Sequence, residues 1–200
     1  MELVLIRHFQ TEGNGKGQYI GSTDEPLDEC AIPKHLSGYP KIDHLAVSPM
    51  KRCMQTADLL YPSYDKIICP LLRELDFGEY ERKTYEELKD RAEYQRWIDS
   101  GGLGAFPGGE DRVCFQKRCM QGMELLIKEL TELESRTAGV VVHGGTIMAV
   151  MSACDRKKRP FYEWQVGNGE GYIVSVDLSE WEQGDHYFRN IRKIRRNKNS

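Results

Sequence analysis

The first residues with chemistry in them are Arg7 and His8, which close the apolar run "ELVLI" and precede the polar stretch "FQTEGN". A guanidinium is a planar fork that gives two parallel hydrogen bonds to a phosphate or carboxylate. A neutral imidazole beside it can serve as nucleophile or base. The pattern recurs at "AGVVVHGG", where His143 and Gly144 follow a β-branched run, and Arg52 lies just after "HLAVS". Taken singly, His8 and His143 are the kind of histidine that most often serves only structure. With Arg7 and Arg52 they form a cationic set suited to an anion. Thr11, Asn14 and the backbone N–H groups of "TEGNGKG" add neutral donors. That loop lacks the Walker spacing, which argues against a nucleotide P-loop.

The elements around these residues are those of an α/β protein. "ELVLI", "HLAVS", "KIICP" and "AGVVV" are short, continuous apolar runs of the sort found in buried parallel strands. "SPMKRCMQTADLLY" predicts a helix with Ser48 as N-cap and Pro49 at its first turn. "TYEE" at residues 84–87 is a capping box opening a helix toward Trp97, and residues 111–135 predict a long amphipathic helix. "TIMAVMSAC" predicts another helix, and "GYIVSVDL" and "HYFRNIRKI" a strand pair around a turn with Gly184. Strands alternating with helices imply a three-layer α/β/α sandwich on a mostly parallel sheet. Ligands of such sheets sit beyond the carboxyl ends of the strands, where both Arg7-His8 and His143-Gly144 fall.

Bulk properties exclude several classes. The 200 residues are 40% hydrophobic and 30% charged, with a formal net charge of −3, so the whole molecule has no pull toward nucleic acid or anionic membrane. No linker or repeat divides residues 1–200, which predicts one domain. From about residue 189 the chain is strongly basic, and this reads as a solvated tail. The six cysteines are scattered without CxxC spacing, and no signal peptide or membrane span is evident. Free thiols and a cytoplasmic location are therefore expected, with no metal site and no cofactor.

"LIRHFQTEGN" resembles the Arg-His-Gly signature of the histidine phosphatase superfamily, which includes phosphoglycerate mutases. The likeness continues through "YIGSTDEPL", "VSPMKRCMQTA", "LLRELDFGEYE", "FPGGED" and "VVHGGTI" in the family's order, reaching about residue 175. The "PGGE" loop and short chain are most similar to the small phosphatases that include α-ribazole phosphatase. The resemblance implies a metal-independent phosphomonoesterase whose partner is a small phosphomonoester, such as α-ribazole 5′-phosphate. It implies that His8 attacks phosphorus through one ring nitrogen while the other donates to a backbone carbonyl. It further implies that Arg7, Arg52 and His143 hold the phosphoryl oxygens, and that Asn14, Gly21 and Gly144 occupy phosphate-binding positions. Glu74, otherwise an ordinary surface acid, becomes the proton donor to the leaving alkoxide. Its pKa must then be raised by burial or by a like charge, for which Asp76 and Glu79 are near in sequence.

Three positions depart from the family pattern. Phe9 stands where a Gly follows the Arg-His pair, and predicts a narrowed pocket or an altered loop path. Arg82 stands at a second family Gly. "DECAIPKHLSGYPKID" carries Pro33, Gly38 and Pro40, so the first long helix of the family is expected short or missing. The rival readings are a mutase that returns the phosphoryl group to a bound product, and a non-catalytic phospholigand-binding module. A nucleic-acid role for the basic end has no motif behind it.

Overall fold

The computed structural model describes residues 1–195. Strand β1 (Glu2–Arg7) and helix α1 (Glu12–Gly15) come first, followed by β2 (His44–Val47), α2 (Lys51–Leu60) and β3 (Lys66–Ile68). Helices α3 (Tyr85–Leu88), α4 (Ala92–Asp99) and α5 (Arg112–Glu132) lead to β4 (Thr137–Val142) and α6 (Gly144–Ala153). Strand β5 (Gly171–Val176), helix α7 (Leu178–Glu182) and strand β6 (Phe188–Ile194) complete the chain. The sheet order is β3-β2-β4-β1-β5-β6, with β1 to β4 parallel and β5 antiparallel to both its neighbours. The fold is the expected three-layer α/β/α sandwich on a mostly parallel sheet.

Continuous apolar strands follow from helices on both faces of the sheet. Successive side chains of a strand point to opposite faces. Leu3 and Leu5 accordingly pack with Phe115, Met123 and Ile127 of α5 and with Ile147 of α6, while Val4 and Ile6 pack with Cys53, Ala57 and Tyr61 on the α2 side. Along α5 the buried positions 115, 119, 122, 123, 126, 127 and 130 make one helical stripe.

Two helix expectations are corrected. The helix toward Trp97 is broken between Leu88 and Ala92. Leu88 and Tyr94 are both buried in one cluster with Tyr80 and Phe106. On an unbroken helix, residues six apart would point about 120° apart, so the break lets both face inward. Helix α2 begins at Lys51, with no side-chain cap from its own segment. Its first N–H donates to Asp24 Oδ1 at 2.7 Å, and Ser48 is left for another purpose. The helix expected short or missing after "PL" is one 3₁₀ turn, Glu29–Ala31.

The basic run from residue 189 does not begin as a tail. Residues 189–194 lie within β6, Arg189 pairs with Glu180 and Asp177, and Arg192 pairs with Glu2 at 2.8 Å. Residues 196–200 of the expected tail lie outside the described residues. All six cysteines are unpaired. Among the described residues no helix is long and apolar enough to cross a membrane.

Arg82 explains why a glycine suits its position, because its φ is 63°, in the left-handed region. Its N–H donates to Tyr19 O at 2.8 Å, so the turn ties the acid segment to the 19–23 loop. A side chain there costs roughly 1–2 kcal/mol, part of which glycine would return as unfolded-state entropy. Arg82→Gly is expected to stabilise the fold by about 1 kcal/mol, raising the melting temperature roughly 2–4 °C. Calorimetry checks this, and a lower melting temperature would mean that the Arg82 side chain contributes more than its backbone strain costs.

Candidate active site

Strand register builds the site. Arg7 is level with Val142 in the β1–β4 pair and Val47 is level with Val141 in the β2–β4 pair. The next residues, His8, His143 and Ser48, must therefore meet just beyond the sheet. His8 and His143 stand edge to face with ring centroids 5.3 Å apart, and Ser48 Oγ is 2.8 Å from His143 Nε2. Strand β3 ends beside β2, and the chain then turns through Pro70–Leu72 to bring Glu74 across the same edge.

His8 is nearly buried, with Nδ1 2.6 Å from Phe9 O. A carbonyl can only accept, so Nδ1 carries the proton, and no protein bond to the Nε2 lone pair is present among the described residues. Burial, helped by the charges of Arg52 and Arg7, holds the His8 pKa well below the ordinary imidazole value. The ring is neutral at pH 7.

Arg52 is fully buried, and each of its three nitrogens donates: Nε to His143 Nδ1 at 3.2 Å, Nη1 to Thr23 O at 2.7 Å and Nη2 to Gly21 O at 2.8 Å. A guanidinium never accepts, so His143 Nδ1 is bare and Nε2–H faces Ser48. Both ring nitrogens of His143 are thus engaged, and burial together with Arg52 keeps it neutral. Cys53 Sγ, 3.5 Å from His143 Nε2, completes the cluster, and burial pushes its thiol pKa up. The 21–23 turn is gripped from both sides. Arg52 holds its carbonyls, while the Glu81 carboxylate accepts the N–H groups of Gly21, Ser22 and Thr23 at 2.9–3.2 Å.

Arg7 is differently placed. Its Nη1 donates to Val166 O at 2.7 Å, while Nε is buried with no partner and no bond to Nη2 is present among the described residues. The Nε–Nη2 edge of the fork is therefore open, at the N-terminus of α6. A Cβ on Gly144 would lie 3.2 Å from Arg7 Nε, so glycine keeps that edge clear. Helix N-termini favour negative charge.

Glu74 Oε1 accepts from Leu75 N and Oε2 from Gly145 N, each at 2.9 Å. Its pKa is raised mainly by burial, against the pull of those N–H groups and of Arg52 and Arg7. The alternative cause, a like charge from Asp76 or Glu79, is not what raises it. Asp76 is occupied with Ser22 Oγ and Gly78 N, and Glu79 is exposed. Any side chain on Gly145 would collide with the Glu74 carboxylate. Beneath the acid segment, Arg118 makes two bonds to Glu110 of the "PGGE" loop, at 2.9 and 2.7 Å, and donates to the carbonyls of Leu71, Arg73 and Glu74.

Of the residues singled out in the sequence, Arg7, Asn14, Glu74 and Gly144 line one cleft of about 450 Å³. His8, Arg52 and His143 form the buried cluster of the same strand ends. Gly21 is corrected: its N–H is taken by Glu81, it lines a neighbouring groove instead, and a side chain there would strike Leu75 O. Of the two expectations for Phe9, the narrowed pocket is corrected. Phe9 is fully buried, does not line the cleft, and its ring occupies space left by Gly169 at φ 75°. Sequence reading missed Ser48, assigned to a cap, and Asn168, whose Nδ2 donates to His8 O at 3.0 Å and to Asn14 Oδ1 at 3.2 Å. The glycine-flanked "VGNGEG" was the available signal for Asn168. No group of three or more His, Cys, Asp or Glu side chains suited to a metal ion occurs among the described residues.

Comparison with known proteins agrees with this geometry. The chain is 28% identical over 160 residues to the "Putative phosphoserine phosphatase 2" of Hydrogenobacter thermophilus, covering 74% of this chain and 76% of that protein. It is 30% identical over 127 residues to the adenosylcobalamin/α-ribazole phosphatase of Salmonella typhimurium, covering 59% of this chain and 63% of that one. The α-ribazole phosphatase of Shigella flexneri superposes with a TM-score of 0.78 over 97% of this chain and 96% of its own, at 22% identity, a likeness of fold. Residues 3–186 match the model of the histidine phosphatase superfamily (branch 1), and with His8, Arg52 and His143 at adjoining strand ends, the chain belongs to that family.

Proposed function

We propose that this enzyme hydrolyses a small phosphomonoester through a phosphohistidine at His8. The observation that carries the reading is that the Nε–Nη2 edge of Arg7 and the Nε2 of the adjoining residue, His8, both lack a partner among the described residues. Phosphoryl transfer is mostly positioning and charge stabilisation. Arg7 takes two phosphoryl oxygens while His8 Nε2 attacks phosphorus. The bond from phosphorus to the ester oxygen breaks, and protonated Glu74 gives its proton to the leaving oxygen. In the second half, ionised Glu74 takes a proton from water, the water oxygen attacks phosphorus, and the phosphorus–nitrogen bond breaks. Arg52 and His143, with their nitrogens bonded within the protein, position the strand ends and the 21–23 turn instead of taking phosphoryl oxygens as the resemblance implied, while Asn14 offers its amide N–H and Gly144 a helix N-terminal N–H. Free thiols favour a reducing compartment such as the cytosol.

α-Ribazole 5′-phosphate is the first substrate to try, because relatives are named for it. The test is release of inorganic phosphate from α-ribazole 5′-phosphate, phosphoserine and 3-phosphoglycerate, with excess EDTA present. Phosphate is expected in equal amount to the freed alcohol, at a rate EDTA leaves unchanged. An isomeric phosphoester without free phosphate would make the enzyme a mutase, and loss of activity to EDTA with rescue by a divalent ion would overturn the mechanism.

A further inference from the structure

The names of the relatives leave the alcohol undecided between a charged hydroxy acid and a ring-bearing nucleoside. A second cavity bears on that choice. It has a volume of about 480 Å³ and shares Tyr19, Glu74, Phe77, Gly145 and Met148 with the Arg7 cleft. Glu74 thus borders both the Arg7 cleft and this cavity.

The wall of the second cavity is aromatic. Tyr19 packs on Phe77 with centroids 5.0 Å apart, Tyr94 stacks on Trp97 at 5.9 Å, and Phe161 and Tyr162 meet at 5.3 Å. Several of the polar tips are consumed inside the protein. The Tyr19 and Tyr94 hydroxyls bond to each other at 2.6 Å, and Trp97 Nε1 donates to Gly104 O at 3.0 Å. Gly102, at φ 75°, leaves space for the Tyr162 hydroxyl where a side chain would collide with it. Besides Glu74, the only charged group on the wall among the described residues is Arg112, whose guanidinium lies over Phe161 at 5.0 Å and whose Nη1 donates to Gly101 O at 2.8 Å.

We infer that this cavity receives the alcohol part of the substrate, and that the alcohol carries a flat ring system rather than a carboxylate. The inference rests on the phosphomonoesterase reading above. A ring entering there buries apolar surface against π-faces in offset or edge contacts, each favourable. A carboxylate would lose its hydration in this mostly aromatic wall, with one guanidinium, stacked on Phe161 and with Nη1 given to Gly101 O, to meet it.

The experiment compares kcat/KM for 2-phenylethyl phosphate, ethyl phosphate, phosphoserine and 3-phosphoglycerate. The first two leave as primary alcohols of similar basicity, so the ring alone separates them. The phenylethyl ester is expected to exceed ethyl phosphate by about 10²-fold and to exceed both acids. In Tyr162→Ala, whose side chain is half exposed, and in Trp97→Ala, that ratio should fall about tenfold. Melting curves check that both variants fold, and the wild-type series stands without them. Equal rates for phenylethyl and ethyl phosphate, a preference for either acid, or an unchanged ratio in folded Tyr162→Ala would each overturn the assignment. Release of phosphate from none of the four would instead sink the phosphomonoesterase reading, so the two failures are distinguishable.

Discussion

His8→Ala is expected to lower turnover of every monoester on the order of 10⁵-fold, and to abolish labelling of the protein by a ³²P-phosphorylated substrate. The wild-type label should be acid-labile and base-stable, as a phosphoramidate is. The size of the effect follows from the loss of the only unpartnered imidazole lone pair in the cluster, since both nitrogens of His143 are bonded and cannot substitute. The fold should tolerate the change, because the His8 side chain makes one hydrogen bond, to Phe9 O. Label of the same stability persisting in the variant would assign the nucleophile elsewhere. The rate at which His8 is phosphorylated should also hold as the pH falls through about 6.5, because burial and two arginines keep His8 neutral there.

Glu74→Gln is expected to cost roughly 10²–10⁴-fold for esters of ordinary alcohols and much less for p-nitrophenyl phosphate, whose leaving group needs no proton. The pH dependence has a definite sign. Burial raises the Glu74 pKa, so the carboxyl stays protonated to higher pH than an exposed one. The step that needs the acid form should slow as pH rises through that raised value, and this alkaline limb should vanish in the variant. One of the two N–H groups that now bond the carboxylate would face an amide nitrogen, so melting curves should accompany the kinetics. Equal losses for both leaving groups would remove Glu74 from the role of acid.

The strands and most helices were legible because their signals are local. "ELVLI" and "AGVVV" are continuous apolar runs, and "TYEE" forms its capping box between Thr84 and Glu87 as read. Where reading failed, a distant partner had taken over a local group. Ser48 fits an N-cap, yet Asp24 caps α2 and the Ser48 hydroxyl serves His143, 95 residues away in the chain. The helix after Thr84 breaks because an aromatic cluster, gathered from separate segments, draws in both Leu88 and Tyr94.

The sequence by itself determined the candidate reacting types and their order: an Arg-His pair after one strand, Arg52 after the next, Glu74 after the third and a His-Gly-Gly after the fourth. Those follow from residue chemistry and strand ends, which are properties of short stretches. Only the tertiary structure decided which nitrogen of each imidazole is free, that Arg7 rather than Arg52 has an open edge, that Gly21 serves Glu81, and that Phe9 turns away toward Gly169. The physical reason is that a donor's availability depends on what else reaches it. Parallel register, with Arg7 level with Val142 and Val47 with Val141, sets that by bringing residues far apart in the chain within bonding distance.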